Sequence, residues 1–345
     1  MTLDGGTPGN AWAAFERVHD ARADLVVLLA GFRAGLLSAV VGAAGTAEEL
    51  AARAGTDPRL TAEWCRAMTV AGFLDVDATG HRFAALPGLD EVLEVAGVDS
   101  PVDIESALLD RTPAVVAALA AALRDGEGAD PAVYGDGWAR LQDAAALASD
   151  PGAVVTALLA PVAGVVEALE AGCRVIEVGC GGGWALEVLA ERYPEASFVG
   201  LEIDPVALGI ARGRLARFGD RCVVGPEAPA GERPDVVLLV DVLHDLPRPA
   251  ADLARLLADA APGAVLVVAE ADATGDFSLD RTSGAAWQYA SGFTRCLPLV
   301  RRAGGEGAGP LWGRTAVLRT LADAGVHEVA VHTTADGHAV FAARV

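Results

Sequence analysis

Near the middle of the chain the apolar run Val175 to Val178 carries a single carboxylate, Glu177, and then meets four glycines within five residues, Gly179 and Gly181 to Gly183. Glycine loses more conformational freedom on folding than any other residue, so such a costly exit from a strand is built where something must approach the backbone closely. A strand that turns through glycines into a helix also aims backbone N–H groups and the positive end of the helix dipole at whatever lies above it. A second carboxylate, Glu202, ends the next apolar run in "GLEIDP", 23 residues after Gly179. A carboxylate at that point can accept both hydroxyls of a ribose. A nucleoside-bearing ligand is therefore expected.

Two ligand classes fit a glycine turn followed by a ribose acid: a dinucleotide and S-adenosylmethionine. The dinucleotide turn needs its third glycine for close packing of helix on strand, and here that position is Trp184. The actual spacing, acidic-x-G-x-G-x-G over Glu177, Gly179, Gly181 and Gly183, resembles motif I of the class I S-adenosylmethionine-dependent methyltransferases. The resemblance implies that Glu177 faces the amino acid end of the cofactor, that the glycines let the backbone approach it, and that Glu202 holds the ribose with Ile203 beside it. Where the family usually has an Asp for the adenine amine, this chain has Pro226 followed by Glu227. Val240 and Asp241, at the end of the fourth apolar run, are expected along the same cofactor edge.

That run continues as "LLVDVLHDLPRP". It resembles the "LHDW" segment of the two-domain small-molecule O-methyltransferases of secondary metabolism, with Leu246 in place of the Trp. The resemblance implies that His244 is the general base for a hydroxyl acceptor, a task suited to an imidazole whose ordinary pKa is about 6.5. Asp245 and Asp241 are candidates to orient the ring, as a carboxylate does in a triad. Glu270 and Asp272, after the fifth run, are the next candidates to steer His244 or touch substrate. The alternative for His244 is packing, or a hydrogen bond to its own loop. Trp287, Tyr289, Phe293 and Trp312 are concentrated in a chain with 5% aromatics, which gives either the apolar wall of a pocket for a flat acceptor or ordinary core packing. The stretch Arg295 to Gly313 resembles a less characterised branch of winged-helix methyltransferases. No metal is expected, because the histidines and carboxylates show no tight ligand spacing.

These residues need a scaffold, and the apolar periodicity supplies one. From residue 153 to 345, short runs apolar on both faces alternate with helical stretches, which argues for a parallel sheet covered on both sides. "HEVAVHTTADGHAVFAARV" reads as two strands around "ADG", so the last strand is antiparallel. The fold class is thus α/β, a Rossmann-like class I methyltransferase sheet. Residues 1–99 read as helices followed by a small hairpin, a winged-helix-like dimerisation domain. Thr46 and Glu49 have capping-box spacing, and Asp57 with Pro58 opens the next helix. Residues 100–152 form a helical connector, whose Tyr134 and Trp138 belong either to a lid or to interdomain packing.

Composition bounds the rest. A formal charge of −21, with all 26 basic residues Arg, repels phosphate backbones, so nucleic-acid binding is not expected. The helix after Asp57 offers only Arg59 and Arg66 to a DNA groove, against Asp57 and Glu63. The lack of lysine removes lysine Schiff-base chemistry. Five scattered cysteines form no C-x-x-C pair, which speaks for reduced, buried thiols. No apolar run spans a membrane uninterrupted and no signal peptide opens the chain, so a cytoplasmic protein is expected. The reading is a homodimeric methyltransferase acting on a small molecule, at oxygen. The alternatives are transfer to carbon or nitrogen, a non-methylating enzyme using the same cofactor, and a DNA-binding sensor of it.

Overall fold

A computed structural model describes residues 11–93, 100–148, 150–231, 233–280, 285–335 and 337–345. The chain divides into two compact units, one ending at Leu109 and the other beginning at Asp110.

The first unit opens with helices α1 (Ala11–Arg33) and α2 (Leu36–Gly42). The break falls at Gly35, which takes the left-handed φ of 77° that other residues avoid. Helix α3 (Ala47–Ala54) starts with the expected capping box: the Thr46 side chain accepts the Glu49 N–H, and the Glu49 carboxylate accepts the Thr46 N–H. Asp57 caps α4 (Pro58–Val70) by accepting the Leu60 N–H at 2.8 Å, with Pro58 in the first turn. Strands β1 (Gly45–Thr46), β2 (Leu74–Val76) and β3 (Arg82–Ala85) form an antiparallel sheet in the order β1-β3-β2. Asp77 ties the β2–β3 turn by accepting the N–H groups of His81 and Arg82. On α4, Arg59 and Arg66 both pair with Glu63, so the helix presents little uncompensated positive charge.

The second unit carries seven strands: β4 (Arg174–Val178), β5 (Ser197–Leu201), β6 (Cys222–Gly225), β7 (Val236–Val240), β8 (Val265–Ala271), β9 (Ala330–Thr333) and β10 (His338–Arg344). Their order is β6-β5-β4-β7-β8-β10-β9, with β10 antiparallel to both neighbours and β4 to β8 parallel. The hairpin expected at "ADG" joins β9 to β10; its Asp336 lies outside the described residues. Alternate residues of the strands feed two cores. On one face Val175, Leu238 and Val267 meet Leu158, Leu186, Leu189 and Leu215. On the other, Ile176, Val237, Leu239 and Val268 meet Leu253, Val317 and Leu321. Two helices, Pro151–Leu159 and Val165–Glu170, lead into β4, separated at Pro161 and the left-handed Gly164.

The order of the strands positions the site. The chain winds outward from β4 through β5 to β6, then restarts at β7 beside β4 and winds the other way. Open α/β sheets bind ligands at such a reversal, beyond the carboxyl ends of the two strands, because the loops there diverge and leave a crevice. Separately, one helix, Pro101–Asp125, is long and apolar enough by composition to cross a membrane. The sequence reading, which sought an uninterrupted run, passed over it.

In the first core, Gly31 of α1 lies against Trp64, whose indole N–H donates to the Val27 carbonyl at 3.0 Å. A Cβ at Gly31 would fall 2.2 Å from that nitrogen. We predict that Gly31→Ala destabilises the protein by about 1–3 kcal/mol, read as a lowered urea midpoint, and that an unchanged midpoint refutes this packing account.

Candidate active site

The turn after β4 is held in left-handed geometry at three of its four glycines: φ is 68° at Gly179, 54° at Gly181 and 78° at Gly183. Each serves a different neighbour. A Cβ at Gly179 would strike Val242 at 2.3 Å, and one at Gly183 would press on Leu215 at 3.0 Å, whereas nothing lies within 4 Å of one at Gly181. The open side of the turn is thus above Gly181. Gly182 is fixed from outside: Arg214 donates to its carbonyl at 2.6 Å and forms a two-pronged pair with Asp143, at 2.6 and 2.8 Å. Asp143 and Arg214 are both nearly buried, and sequence spacing gave no sign that they meet.

Four N–H groups of the turn are used within the fold rather than left for a ligand. Gly179 and Cys180 both donate to the Leu201 carbonyl, Gly183 donates to Cys180, and Gly181 donates to Glu202 Oε2 at 2.9 Å. Glu202 also accepts the Asp204 N–H, at 2.7 Å, through its other oxygen. A turn with these four donors already used offers a pyrophosphate fewer of them, and Trp184 stands where a dinucleotide site wants glycine. Trp184 opens the helix Trp184–Arg192 and packs its ring into the first core of the sheet.

Glu177 is buried at the end of β4, and its Oε2 has no hydrogen-bond partner. Burial, with a smaller contribution from the Glu202 charge, pushes its carboxyl up to about 8. Ile203 stands out beside Glu202 with 87% of its surface exposed. Pro226 and Glu227 are exposed in the bend after β6, and Val240 is half-buried at the end of β7.

The loop after β7 brings in the histidine. Asp241 takes a positive φ of 50°, and a short 3₁₀ turn, Leu243–Asp245, follows. His244 is buried, and its Nδ1 lies 2.7 Å from Glu270 Oε2. The His244 backbone N–H donates to the other Glu270 oxygen at 3.3 Å, and the Trp312 indole N–H donates to Oε2 at 3.3 Å. With the carboxylate accepting at Nδ1, the neutral ring carries its proton there and presents its lone pair at Nε2, while the protonated ring carries a proton on both nitrogens. Burial pulls the imidazole pKa down, but the Glu270 charge and hydrogen bond outweigh it and hold the group well above its ordinary value. The same burial raises Glu270, against the pull of His244.

The structure corrects the choice of orienting carboxylate. Glu270 performs it, because β8 runs beside β7 and aims that side chain beneath the loop. Asp241 instead lies 2.9 Å from Nε2 of His338, on β10. Asp245 Oδ1 is 3.6 Å from His244 Nε2, beyond hydrogen-bond reach. Asp272 is held by Arg314 at 2.7 and 2.6 Å. The aromatic group also separates: Trp287 stacks on Trp138 at 5.9 Å, Tyr289 meets Phe277 edge-on at 5.3 Å, Phe293 is 44% exposed, and Trp312 belongs to Glu270. Among the described residues no ring contact joins Trp287, Tyr289, Phe293 and Trp312 to one another. Arg295 covers Trp138 at 5.0 Å, and Cys296 comes within ligand distance of His244 and Asp245. Neither had a sequence signal, since both lie some fifty residues from the loop they approach.

Comparison with known proteins follows this geometry. Residues 138–304 match a family profile described as a methyltransferase domain. Over 104 residues, 29% of this chain and 39% of the relative, the sequence is 40% identical to trans-aconitate 2-methyltransferase of Methylobacterium nodulans. The chain spans about two fifths of the length of such curated relatives. The fold matches an O-methyltransferase family protein from Burkholderia thailandensis with a TM-score of 0.74 at 16% identity, over 97% of this chain and 98% of that one. It matches human N-acetylserotonin methyltransferase, solved in complex with S-adenosylmethionine, with a TM-score of 0.69 at 16% identity over 99% of each chain. The glycine turn, Glu202 and the loop bearing His244 all fall within 138–304, the segment similar to a methyltransferase domain, and the fold as a whole is the one shared by these solved methyltransferase structures.

Proposed function

We propose that the protein transfers a methyl group from S-adenosylmethionine to a hydroxyl of a small molecule, with His244 as the proton acceptor. The observation that carries this reading is the meeting, at the reversal between β4 and β7, of a glycine turn open above Gly181 with a buried imidazole whose Nδ1 is fixed by Glu270. The site fits the cofactor's chemistry. The unpartnered Oε2 of Glu177 suits its ammonium group, and Glu202, with lone pairs left on both oxygens, suits the ribose hydroxyls. Ile203, Pro226 and Glu227 would flank the adenine, and Val240 and Asp241 the remaining edge. Bound there, the cofactor supplies a methyl group already activated by the sulfonium.

The protein's work is then to align the acceptor, exclude water and move one proton. His244 Nε2 takes the proton from the acceptor hydroxyl, and Glu270 stabilises the resulting imidazolium through the 2.7 Å contact at Nδ1. Trp312 keeps Glu270 from turning away. Trp138, Trp287 and Arg295 form a rigid stack suited to bounding a flat acceptor. We divide the chain into a dimerisation domain over 1–99, a helical connector over 100–152 and the catalytic domain over 153–345. The self-association is supported by Trp12, Phe15 and Val18 of α1, exposed by 65%, 58% and 68%.

Three measurements test the reading. In calorimetric titration with S-adenosylhomocysteine, Glu202→Ala should weaken binding at least about tenfold. At pH 7 the free Glu177 carboxyl, with its pKa raised to about 8, holds its proton. A bound ammonium favours the carboxylate, so binding should release up to about one proton in the wild type and tighten as pH rises towards 8, and Glu177→Gln should remove both effects. Failure of the wild type to bind ends the cofactor assignment. With an acceptor in hand, His244→Ala should lower kcat by about 10²–10⁴-fold, with S-adenosylhomocysteine as product, and Glu270→Gln should lower kcat with little change in cofactor KM. Full activity in His244→Ala would leave the imidazole a packing role. By light scattering the protein should run at twice its 35.1 kDa chain mass; a monomer at micromolar concentration rules out the dimer.

A further inference from the structure

Beside His244 lies a second arrangement that proton transfer does not use. His244 Nε2, a carboxylate oxygen of Asp245 and the Cys296 sulfur all lie within 4.8 Å of one another. The His244 Nε2 to Asp245 Oδ1 distance is 3.6 Å, close to the separation of two ligands on one tetrahedral ion. Asp245 Oδ1 is buried with no hydrogen-bond partner, although its side chain as a whole is 39% exposed. An unsatisfied buried carboxylate oxygen is costly, and the groups beside this one, an imidazole nitrogen and a thiol whose S–H is only a weak donor, are themselves metal-ligand types.

We propose that His244, Asp245 and Cys296 form a binding site for a borderline divalent cation of the Zn²⁺ class. The donor set of one imidazole nitrogen, one carboxylate oxygen and one sulfur suits such an ion and is foreign to Mg²⁺ or Ca²⁺. The carboxylate and the thiolate together match its two charges; the thiol proton leaves to solvent as the sulfur–metal bond forms. Glu270 is already placed as the outer partner, accepting from Nδ1 at 2.7 Å while Trp312 holds the same carboxylate. That outer bond fixes the ring with Nε2 directed at the ion, as in carboxylate–histidine–metal triads. Three protein ligands leave a fourth position open on the side where Asp245 reaches solvent. The ion occupies the lone pair that would take the acceptor's proton, so metal binding and proton transfer at His244 exclude each other. This consequence, unlike the site itself, rests on the proposed function.

The test uses the full-length protein, stripped of metal and titrated with Co²⁺ as the spectroscopic probe, then with Zn²⁺ in competition. The expected result is one Co²⁺ per chain, a thiolate-to-cobalt charge-transfer band, and displacement by Zn²⁺. Cys296→Ser should abolish the band, and His244→Gln should weaken binding at least about tenfold. Cys180→Ser, a buried thiol elsewhere in the same unit, should leave the band intact. Circular dichroism of each variant verifies folding. No binding by the wild type, or a band that survives Cys296→Ser, overturns the site. With the acceptor in hand, Zn²⁺ should inhibit and a chelator restore activity. Binding at the site without inhibition upholds the site and overturns the proton-acceptor role, which keeps the two failures apart.

Discussion

Glu270 is a carboxylate with 1% of its surface exposed, set near the end of a strand whose preceding residues, Val265 to Ala269, are apolar and buried. A charge in such a place costs several kcal/mol unless it is paired and hydrogen-bonded, and the architecture around it answers that cost. The loop after β7 delivers both the imidazole and the backbone N–H of His244 to its two oxygens, and the segment after β8 returns to add the indole of Trp312. The antiparallel strand β10 seals the outer side of β8 along its full length, with Ala339 directly opposite Glu270. One buried acid thus determines where three separate pieces of chain must meet.

The cofactor side is organised by the same economy. Glu202 is shared between the glycine turn and the first turn of the helix Pro205–Leu215, so a single carboxylate holds two strand ends together. Arg214 and Asp143 hold the turn from behind through the Gly182 carbonyl. Glu177 Oε2, by contrast, has no hydrogen-bond partner. A structure that pairs its other buried carboxylate beside the turn and leaves this one open has a ligand's cation as the simplest completion. Towards His244, the unpaired Asp245 Oδ1 poses the same question, and a metal ion is our proposed answer.

Much of this was legible in the sequence, and the reasons are local. The alternation of buried runs with helical stretches reports a covered parallel sheet, since each strand must be apolar on both faces. Glu177, the glycines and Trp184 lie within eight consecutive residues, so their relative geometry is largely a property of one turn. The capping box at Thr46 and the cap at Asp57 are local in the same sense and appear as read. At Gly35 and Gly164 the apolar character of the sequence continues across a break that the left-handed backbone of the glycine makes.

Partnerships across the fold were another matter. Sequence proposed Asp241, Asp245, Glu270 and Asp272 as companions of His244 but had no means of ranking them. Parallel pairing of β7 with β8 chose Glu270, the hairpin gave Asp241 to His338, and Arg314 claimed Asp272. Of the four aromatics read as either a pocket wall or core packing, Trp287, Tyr289 and Trp312 each meet a different partner, and Phe293 is partly exposed. By itself, then, the sequence determined the sheet, the glycine turn and the class of cofactor, all set by periodicity and short-range spacing. Only the tertiary structure decided which carboxylate meets the imidazole and that Cys296 stands beside it, because strand order, not distance along the chain, decides which side chains become neighbours.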